Sequence, residues 1–361
     1  MNDTFSKIYK GKTVLVTGDT GFKGSWLVIW LLNLGANVIG YALEPKTERD
    51  NYVVCDLGKK ITHINGDIRD YRKLLSVFLK YQPEIAFHLA AQSLVLDSYK
   101  DPLYTHSTNV MGTVNFFEAV RNTPSVKVAI NITSDKCYEN REWVYGYREI
   151  DPMGGKDPYS ASKGASEIIT SSYLRSFFNK RNTANIASVR AGNVVGGGDW
   201  ANYRIFPDCM RALLSGKPII VRNPNAVRPW QYVLEPLSGY LTLGSHLFTK
   251  GKKYSGAWNF GPLHRNMVSV RQLVEETIKH WGTGRYIVEN ETNNSLEAGF
   301  LHLDISKAVN MLNWRPVLDF GQTIKFSIDE YKIGDFTSKE IFNQRIDHIV
   351  KYTKLRYANN D

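Results

Sequence analysis

The stretch Thr17-Gly18-Asp19-Thr20-Gly21-Phe22-Lys23-Gly24 constrains this chain more than any other feature of its 361 residues. It lies between a β-rich run, Thr13 to Thr17, and a helical apolar stretch from Trp26 to Leu34 that ends at Gly35. The spacing is GxxGxxG rather than GxGxxG, but the physics is shared. Glycines allow a tight turn and a close backbone approach to a pyrophosphate. The helix start then offers unpaired N–H groups and the positive end of a dipole. A lone glycine motif says little, whereas one in the first strand-to-helix turn of a long series points to a dinucleotide.

That series is present. Apolar strand-like runs follow at Asn37 to Leu43, Ile61 to Ile64, Glu84 to Ala90, Lys127 to Thr133 and Asn185 to Arg190. Helical patterns separate them near Tyr71 to Tyr81, Leu103 to Arg121 and Tyr159 to Phe178. Nearly continuous apolar strands alternating with helices predict an α/β fold, a Rossmann-type doubly wound parallel sheet. After Gly192 the pattern loosens, with helices near Phe206 to Leu214 and Val270 to Trp281. The expected organisation is a Rossmann domain over 1–191 and a smaller mixed α/β C-terminal substrate lobe over 192–361. The lobe is discontinuous, because a segment near 230–265 returns, its strand at Ala257 to Phe260 rejoining the main sheet.

Composition removes several classes. Hydrophobic residues at 43% and charged residues at 22% fit a globular chain, not a disordered one. The longest apolar run, Trp26 to Leu32, is too short to span a bilayer, and the first twelve residues hold no secretory apolar segment. The expectation is a cytoplasmic protein with no membrane partner. Cys55, Cys137 and Cys209 are far apart and fit no metal-ligand spacing, so reduced thiols and no metal are expected. The net charge of +10 is scattered, which argues against nucleic acid and suits a phosphate-bearing substrate.

Two further motifs carry chemistry. Tyr159 and Lys163 form YSASK; at i and i+4 they share a helix face. A nearby ammonium, aided by a nicotinamide charge, is expected to lower the tyrosine pKa and make it a base for a sugar hydroxyl. Ser134-Asp135-Lys136 ends the strand Lys127 to Thr133, on the edge where open α/β sheets bind ligands. Asp67, in GDIRD, is placed to accept an adenine amino group; Asp70 is the better N-cap for the next helix. Glu44 suits a ribose 2′-hydroxyl, while Lys46 and Arg49 suit a 2′-phosphate, so the residues alone leave NAD and NADP open.

Eight segments together resemble the extended short-chain dehydrogenase/reductase family in its nucleotide-sugar branch. They are TGDTGFKGSW (Thr17 to Trp26), HLAAQSLV (His88 to Val95), STNVMGT (Ser107 to Thr113), NITSDKCYENREW (Asn131 to Trp143), DPYSASK (Asp157 to Lys163), VRAGNVVGGGDW (Val189 to Trp200), RPWQYVLEPLSGY (Arg228 to Tyr240) and WNFGP (Trp258 to Pro262). The resemblance runs to about residue 330. Where the dTDP-glucose branch usually carries Thr-Asp-Glu, this chain has Ser134-Asp135-Lys136, similar to the 4,6-dehydratases of CDP-glucose. Related 4-epimerases use the same Tyr/Lys pair but need no acid for a 6-hydroxyl, so Asp135 and Lys136 count against them. A non-catalytic Rossmann binder would show a broken pair or a blocked lobe, and here the pair is intact.

The resemblance implies NAD as cofactor and CDP-glucose as the nucleotide-sugar substrate, in deoxysugar synthesis for surface glycans. It implies a homodimer or homotetramer built through the helices near 103–121 and 159–178. The implied catalytic residues are Ser134, Asp135, Lys136, Tyr159 and Lys163. Gly18, Thr20, Gly21, Phe22, Lys23, Gly24, Asp67, Ile68, Ala90, Ala91, Asn109 and Thr133 are to join Tyr159 and Lys163 around the cofactor. Gln92, Ser93, Asn193, Arg204 and Arg228 are to meet the substrate, with a salt bridge as the rival reading of Arg204; Trp200 and Trp230 are expected to pack. A glutamate in the dTDP branch removes the C5 proton. Lys136 does so only when neutral, and its alternatives are polarising the ketone or orienting a water. Three departures stand out: Glu297-Ala298-Gly299-Phe300 for Glu-Ala-His-Tyr, Ala161 within YSASK, and Asp19 where many members have His.

Overall fold

The computed structural model describes residues 5–263, 267–289 and 300–358. Six parallel strands are β1 (Thr13–Thr17), β2 (Asn37–Ala42), β3 (Thr62–Asn65), β4 (Ile85–His88), β5 (Val128–Ile132) and β6 (Asn185–Ala191). A seventh, Gly256–Phe260, pairs parallel with β6, Trp258 opposite Val189. Across the seven-stranded sheet the order is seventh strand, β6, β5, β4, β1, β2, β3. This is the doubly wound order, reversing between β1 and β4.

Both faces are buried because side chains alternate along each strand. Val14 and Val16 pack with the helices Phe22–Asn33, Leu234–Lys250 and Ser338–Ala358. Leu15 faces the other way, toward the helices Tyr71–Tyr81 and Gly112–Arg121. Trp26 to Leu31 are at most 1% exposed. A helix apolar all round needs cover on every side, and the sheet and the C-terminal helix give it. That last helix therefore packs on the first layer, not within the second lobe. The second lobe has its own core, from the helices Ile205–Leu214, Val270–Trp281 and Phe320–Asp329.

The helix expected from Leu103 to Arg121 is broken locally. Pro102–His106 runs into a wider π-type turn, Ser107–Met111, before Gly112–Arg121. Among the described residues no helix is long and apolar enough to cross a membrane. The three cysteines are free and buried, and no group of three or more His, Cys, Asp or Glu is placed to hold a metal among the described residues.

Candidate active site

The ends of β1, β4, β5 and β6 bring the sequence motifs to one edge of the sheet. Gly18 has φ +74, and a Cβ there would stand 2.7 Å from the Ala90 nitrogen. A Cβ on Gly24 would stand 2.0 Å from the Gly18 carbonyl oxygen. Only glycine allows both approaches. Gly21 is the exposed N-cap of Phe22–Asn33 and adds no side-chain cap. The first helical bond is Ser25 N–H to the Gly21 carbonyl, 2.8 Å, and the N–H groups of Phe22, Lys23 and Gly24 precede it. Lys23 is half-buried beside them. Burial and the Arg204 charge bring its pKa down to about 8, against the pull of Asp135. Open first-turn donors, a cradle that a Cβ would fill and an inward lysine fit a dinucleotide pyrophosphate.

The Thr20 hydroxyl donates to the Leu43 carbonyl at 2.8 Å, fixing the turn to the end of β2. Ile68 is buried against Gly112. Asp67 is gripped by Arg69, with Nε 3.0 Å from Oδ1 and a terminal nitrogen 2.6 Å from Oδ2. The Arg69 hydrogen bonds hold its carboxyl below the usual range. Asp70 caps the next helix, accepting from Lys73 N–H at 3.0 Å. Glu44 accepts from the Asn65 amide, while Arg49 stacks over Trp200, 5.1 Å from its ring centroid.

Ser134, Asp135 and Tyr159 are buried together. The Ser134 hydroxyl donates to Asp135 Oδ1 at 3.0 Å and accepts from Lys136 N–H at 3.3 Å. A Cβ on Gly192 would stand 2.8 Å from Asp135 Oδ2, so the β6 end closes over that carboxyl. Burial raises the Asp135 pKa, although Lys136, the Ser134 hydrogen bond, Arg228 and Lys23 all pull it down. A carboxyl in this state favours keeping its proton.

The tyrosine departs from expectation. Burial pushes Tyr159 up to about 12, and the Ser134 hydrogen bond only moderates this. Lys163 turns its ammonium toward the Ile132 carbonyl at 3.4 Å, and burial with the Lys23 charge brings it down to about 8. Desolvation of a buried phenolate dominates here, and the Lys163 ammonium is turned to the Ile132 carbonyl.

Of the substrate candidates, Arg204 bonds Asp199 Oδ2 at 3.0 Å and Ser93 Oγ at 3.3 Å, so the salt bridge and the site position hold together. Arg228 is buried, donates to the Val227 carbonyl at 2.9 Å and is felt electrostatically by Asp135. Asn193 is half-buried at the end of β6, its carbonyl accepting from Gln231 N–H at 3.0 Å. Gln92 and Asn109 are differently placed. Asn109 accepts from Gln92 N–H at 2.9 Å and donates to the Gln92 carbonyl and Ser162. The Gln92 amide is taken by Leu94 and Thr105. Both groups hold the loop after β4 to the π-type turn. Thr133 is likewise turned inward, onto Glu167. Ala90 and Ala91 are half-buried beside the turn. Trp230 lies in the second-lobe core, and Trp200 packs edge-on against Tyr331 at 5.0 Å. Residues 297–299, part of one noted departure, lie outside the described residues.

Sequence reading passed over Glu167 and Arg190, which stand directly behind these groups. Their signals were available: Glu167 is one helical turn past Lys163, and Arg190 is a lone charge in an apolar strand.

The family model for GDP-mannose 4,6 dehydratase matches residues 15–326. CDP-glucose 4,6-dehydratase of Salmonella typhimurium is 48% identical over 320 residues, 88% of this chain and 89% of that protein. UDP-glucose 4-epimerase of Thermus thermophilus, solved with NAD, superposes with a TM-score of 0.76 at 24% identity, covering 90% of this chain and 100% of its own. dTDP-glucose 4,6-dehydratase of Bacillus anthracis, also solved with NAD, gives a TM-score of 0.73 at 20% identity, covering 93% and 100%. The two structures share the Rossmann-type fold.

Proposed function

The chain belongs to the GDP-mannose 4,6-dehydratase family, and from that premise we propose that it is an NAD-dependent CDP-glucose 4,6-dehydratase. The observation that carries the dehydratase reading is Asp135, a buried carboxyl held toward its protonated form beside Tyr159. The 48% identity to the Salmonella enzyme supports CDP-glucose over other nucleotide sugars.

The Gly18–Gly24 turn and the N-terminus of the helix Phe22–Asn33 would hold NAD, which when bound would supply a hydride acceptor for C4 and a hydride donor for C6. Tyr159, as phenolate, takes the proton of the 4-hydroxyl, and Ser134 shares that proton's path. Burial holds the Tyr159 phenol up, and the nicotinamide charge of bound NAD would join the Lys163 ammonium in favouring the phenolate. The C4 ketone then makes the C5 proton acidic. As that proton leaves, Asp135 protonates the departing 6-hydroxyl oxygen, which leaves as water. Lys136, next to Asp135 in the loop, takes the C5 proton as its neutral amine and returns it to C5 once water has left. With C5 reprotonated and the hydride returned to C6, the net change would be loss of one water. Arg204, Arg228, Asn193 and Ser93 are suited to the phosphates and sugar, guanidinium in particular. Glu44, which accepts from the Asn65 amide at the end of the second strand, suits the ribose hydroxyl of NAD.

Leu103, Met111, Ile168 and Phe177 are exposed on the helices around 102–121 and 158–176 (81%, 51%, 60% and 43%). They support a homodimer or homotetramer; sedimentation equilibrium giving a monomer would remove the oligomer. The activity is tested by mass spectrometry of CDP-glucose incubated with the protein and no added reductant, with dTDP-, GDP- and UDP-sugars in parallel. Loss of one water from CDP-glucose is expected. No change of mass, with a C4 epimer resolved by NMR of the same samples, would return the chain to the 4-epimerases.

A further inference from the structure

One buried ion pair reaches both flanks of the catalytic loop. The Arg190 guanidinium on β6 lies 2.7 Å from Glu167 Oε2, on the helix Pro158–Ser176; their side chains are 4% and 3% exposed. The Thr133 hydroxyl, immediately before Ser134, donates to Glu167 Oε1. Ser188 donates to Oε2 at 2.7 Å. On the other side of the loop, Arg190 donates to the Tyr138 hydroxyl at 2.5 Å and stacks over its ring, 4.8 Å from the centroid. Tyr138 in turn donates to Asn259 Oδ1 on the seventh strand at 2.8 Å. The segment Ser134-Asp135-Lys136 thus hangs between two residues bonded to opposite ends of one ion pair. Glu167, Lys163 and Tyr159 are spaced by four residues on one helix face.

Stability alone is a poor account of this arrangement. A buried ion pair is often no better than well-packed apolar residues of the same volume. What it adds is direction, because each hydrogen bond fixes a rotation. We propose that Glu167 and Arg190 are positioning residues that hold the Ser134–Lys136 loop in register with Tyr159 and Lys163. Neither touches the reacting atoms. Glu167 also acts through charge on Lys163, which is faced by Lys23 from the glycine-turn helix, His88 from β4, Cys137 from the catalytic loop and Glu167 from its own helix. Among these, Glu167 most, and Cys137 after it, favour the charged ammonium.

The inference rests on the reading of Ser134, Asp135 and Tyr159 as reacting groups. The test uses the full chain with Thr133→Val and Tyr138→Phe, which each cut one tether and leave the ion pair, and with Glu167→Gln. Steady-state rates, KM for CDP-glucose, NAD affinity by calorimetry, melting temperature and the pH–rate profile are measured. Each tether variant should lose about 10-fold to 100-fold in kcat, the scale of a sub-ångström misplacement, with KM and NAD affinity little changed. Glu167→Gln should also move the alkaline limb of the profile to lower pH, which the tether variants should not. Unchanged kcat in both tether variants, with only the melting temperature lowered, would overturn the proposal even if Glu167→Gln fails to fold. Absence of water loss in the parent protein would instead overturn the reading on which it rests.

Discussion

The site has a chemistry end and a cofactor end, and each has a buried carboxyl bonded to a basic side chain beneath it. Behind the chemistry, both Glu167 oxygens accept hydrogen bonds from Thr133, Ser188 and Arg190. Burial pushes that carboxyl up, but the Arg190 charge and these bonds outweigh it, and the result lies below the usual range. Under the glycine turn, Asp19 Oδ2 meets His63 Nδ1 at 2.7 Å, while Asp19 Oδ1 and His63 Nε2 have no partner. There burial wins, and Asp19 is raised. A Cβ on Gly40 would stand 2.2 Å from Asp19 Oδ2, so the neighbouring strand gives up its side chain to admit this carboxylate. Similar burial therefore has opposite results: a guanidinium charge stands against Glu167, whereas Asp19 meets an imidazole. The carboxyl behind the chemistry is held toward its ionised form, and the one under the glycine turn is pushed toward its protonated form.

The contrast is best broken at the chemistry end, where effects are largest. Tyr159→Phe should lower turnover about 10²-fold to 10⁴-fold with NAD affinity and melting temperature retained; a smaller loss would remove the phenol from proton transfer. Asp135→Asn should slow water loss about 10²-fold, while C5–H exchange with deuterated solvent continues. Because burial raises Asp135, its ionised form is the disfavoured one in the fold. Stability falls as pH rises from the ordinary carboxylate range to the folded value. Asp135→Asn should therefore melt higher than the parent at neutral pH, and a lower melting temperature would contradict the assignment of that shift.

The stability of the two pairs separates them next. Glu167→Gln should cost about 3–5 kcal/mol in urea unfolding, since it leaves Arg190 buried without its counter-charge. Asp19→Asn removes a carboxylate that burial already disfavours. It should match the parent at acid pH and exceed it near neutrality by about 1 kcal/mol at most. If both variants lose the same stability at neutral pH, the two ends do not differ as described.

Much of this was legible before any coordinates. Apolar runs such as TVLVT and KVAINIT located β1 and β5, and the glycine turn set the sheet edge that carries the site. YSASK and Ser134-Asp135-Lys136 met there because both are local motifs at strand or helix ends. What stayed hidden is nonlocal. Arg190 and Glu167 are twenty-three positions apart on different elements, and sequence does not pair them. Gln92 and Asn109 carry groups suited to ligands, yet a loop and a π-type turn fold them onto each other. The raised phenol of Tyr159 was missed because spacing shows a neighbouring ammonium but not the desolvation that opposes it.

The late return of the seventh strand shapes how the chain is made. A ribosome releases β6 long before Gly256–Phe260, with most of the second lobe synthesised in between. Until that strand arrives, β6 presents a bare hydrogen-bonding edge, the kind of template on which strands from other nascent chains add. A truncation after 191 would therefore not yield a minimal nucleotide-binding module. It would yield an unfinished sheet lacking its border strand, the helix Leu234–Lys250 and the C-terminal helix that covers Trp26 and Trp30, and its expected fate is aggregation.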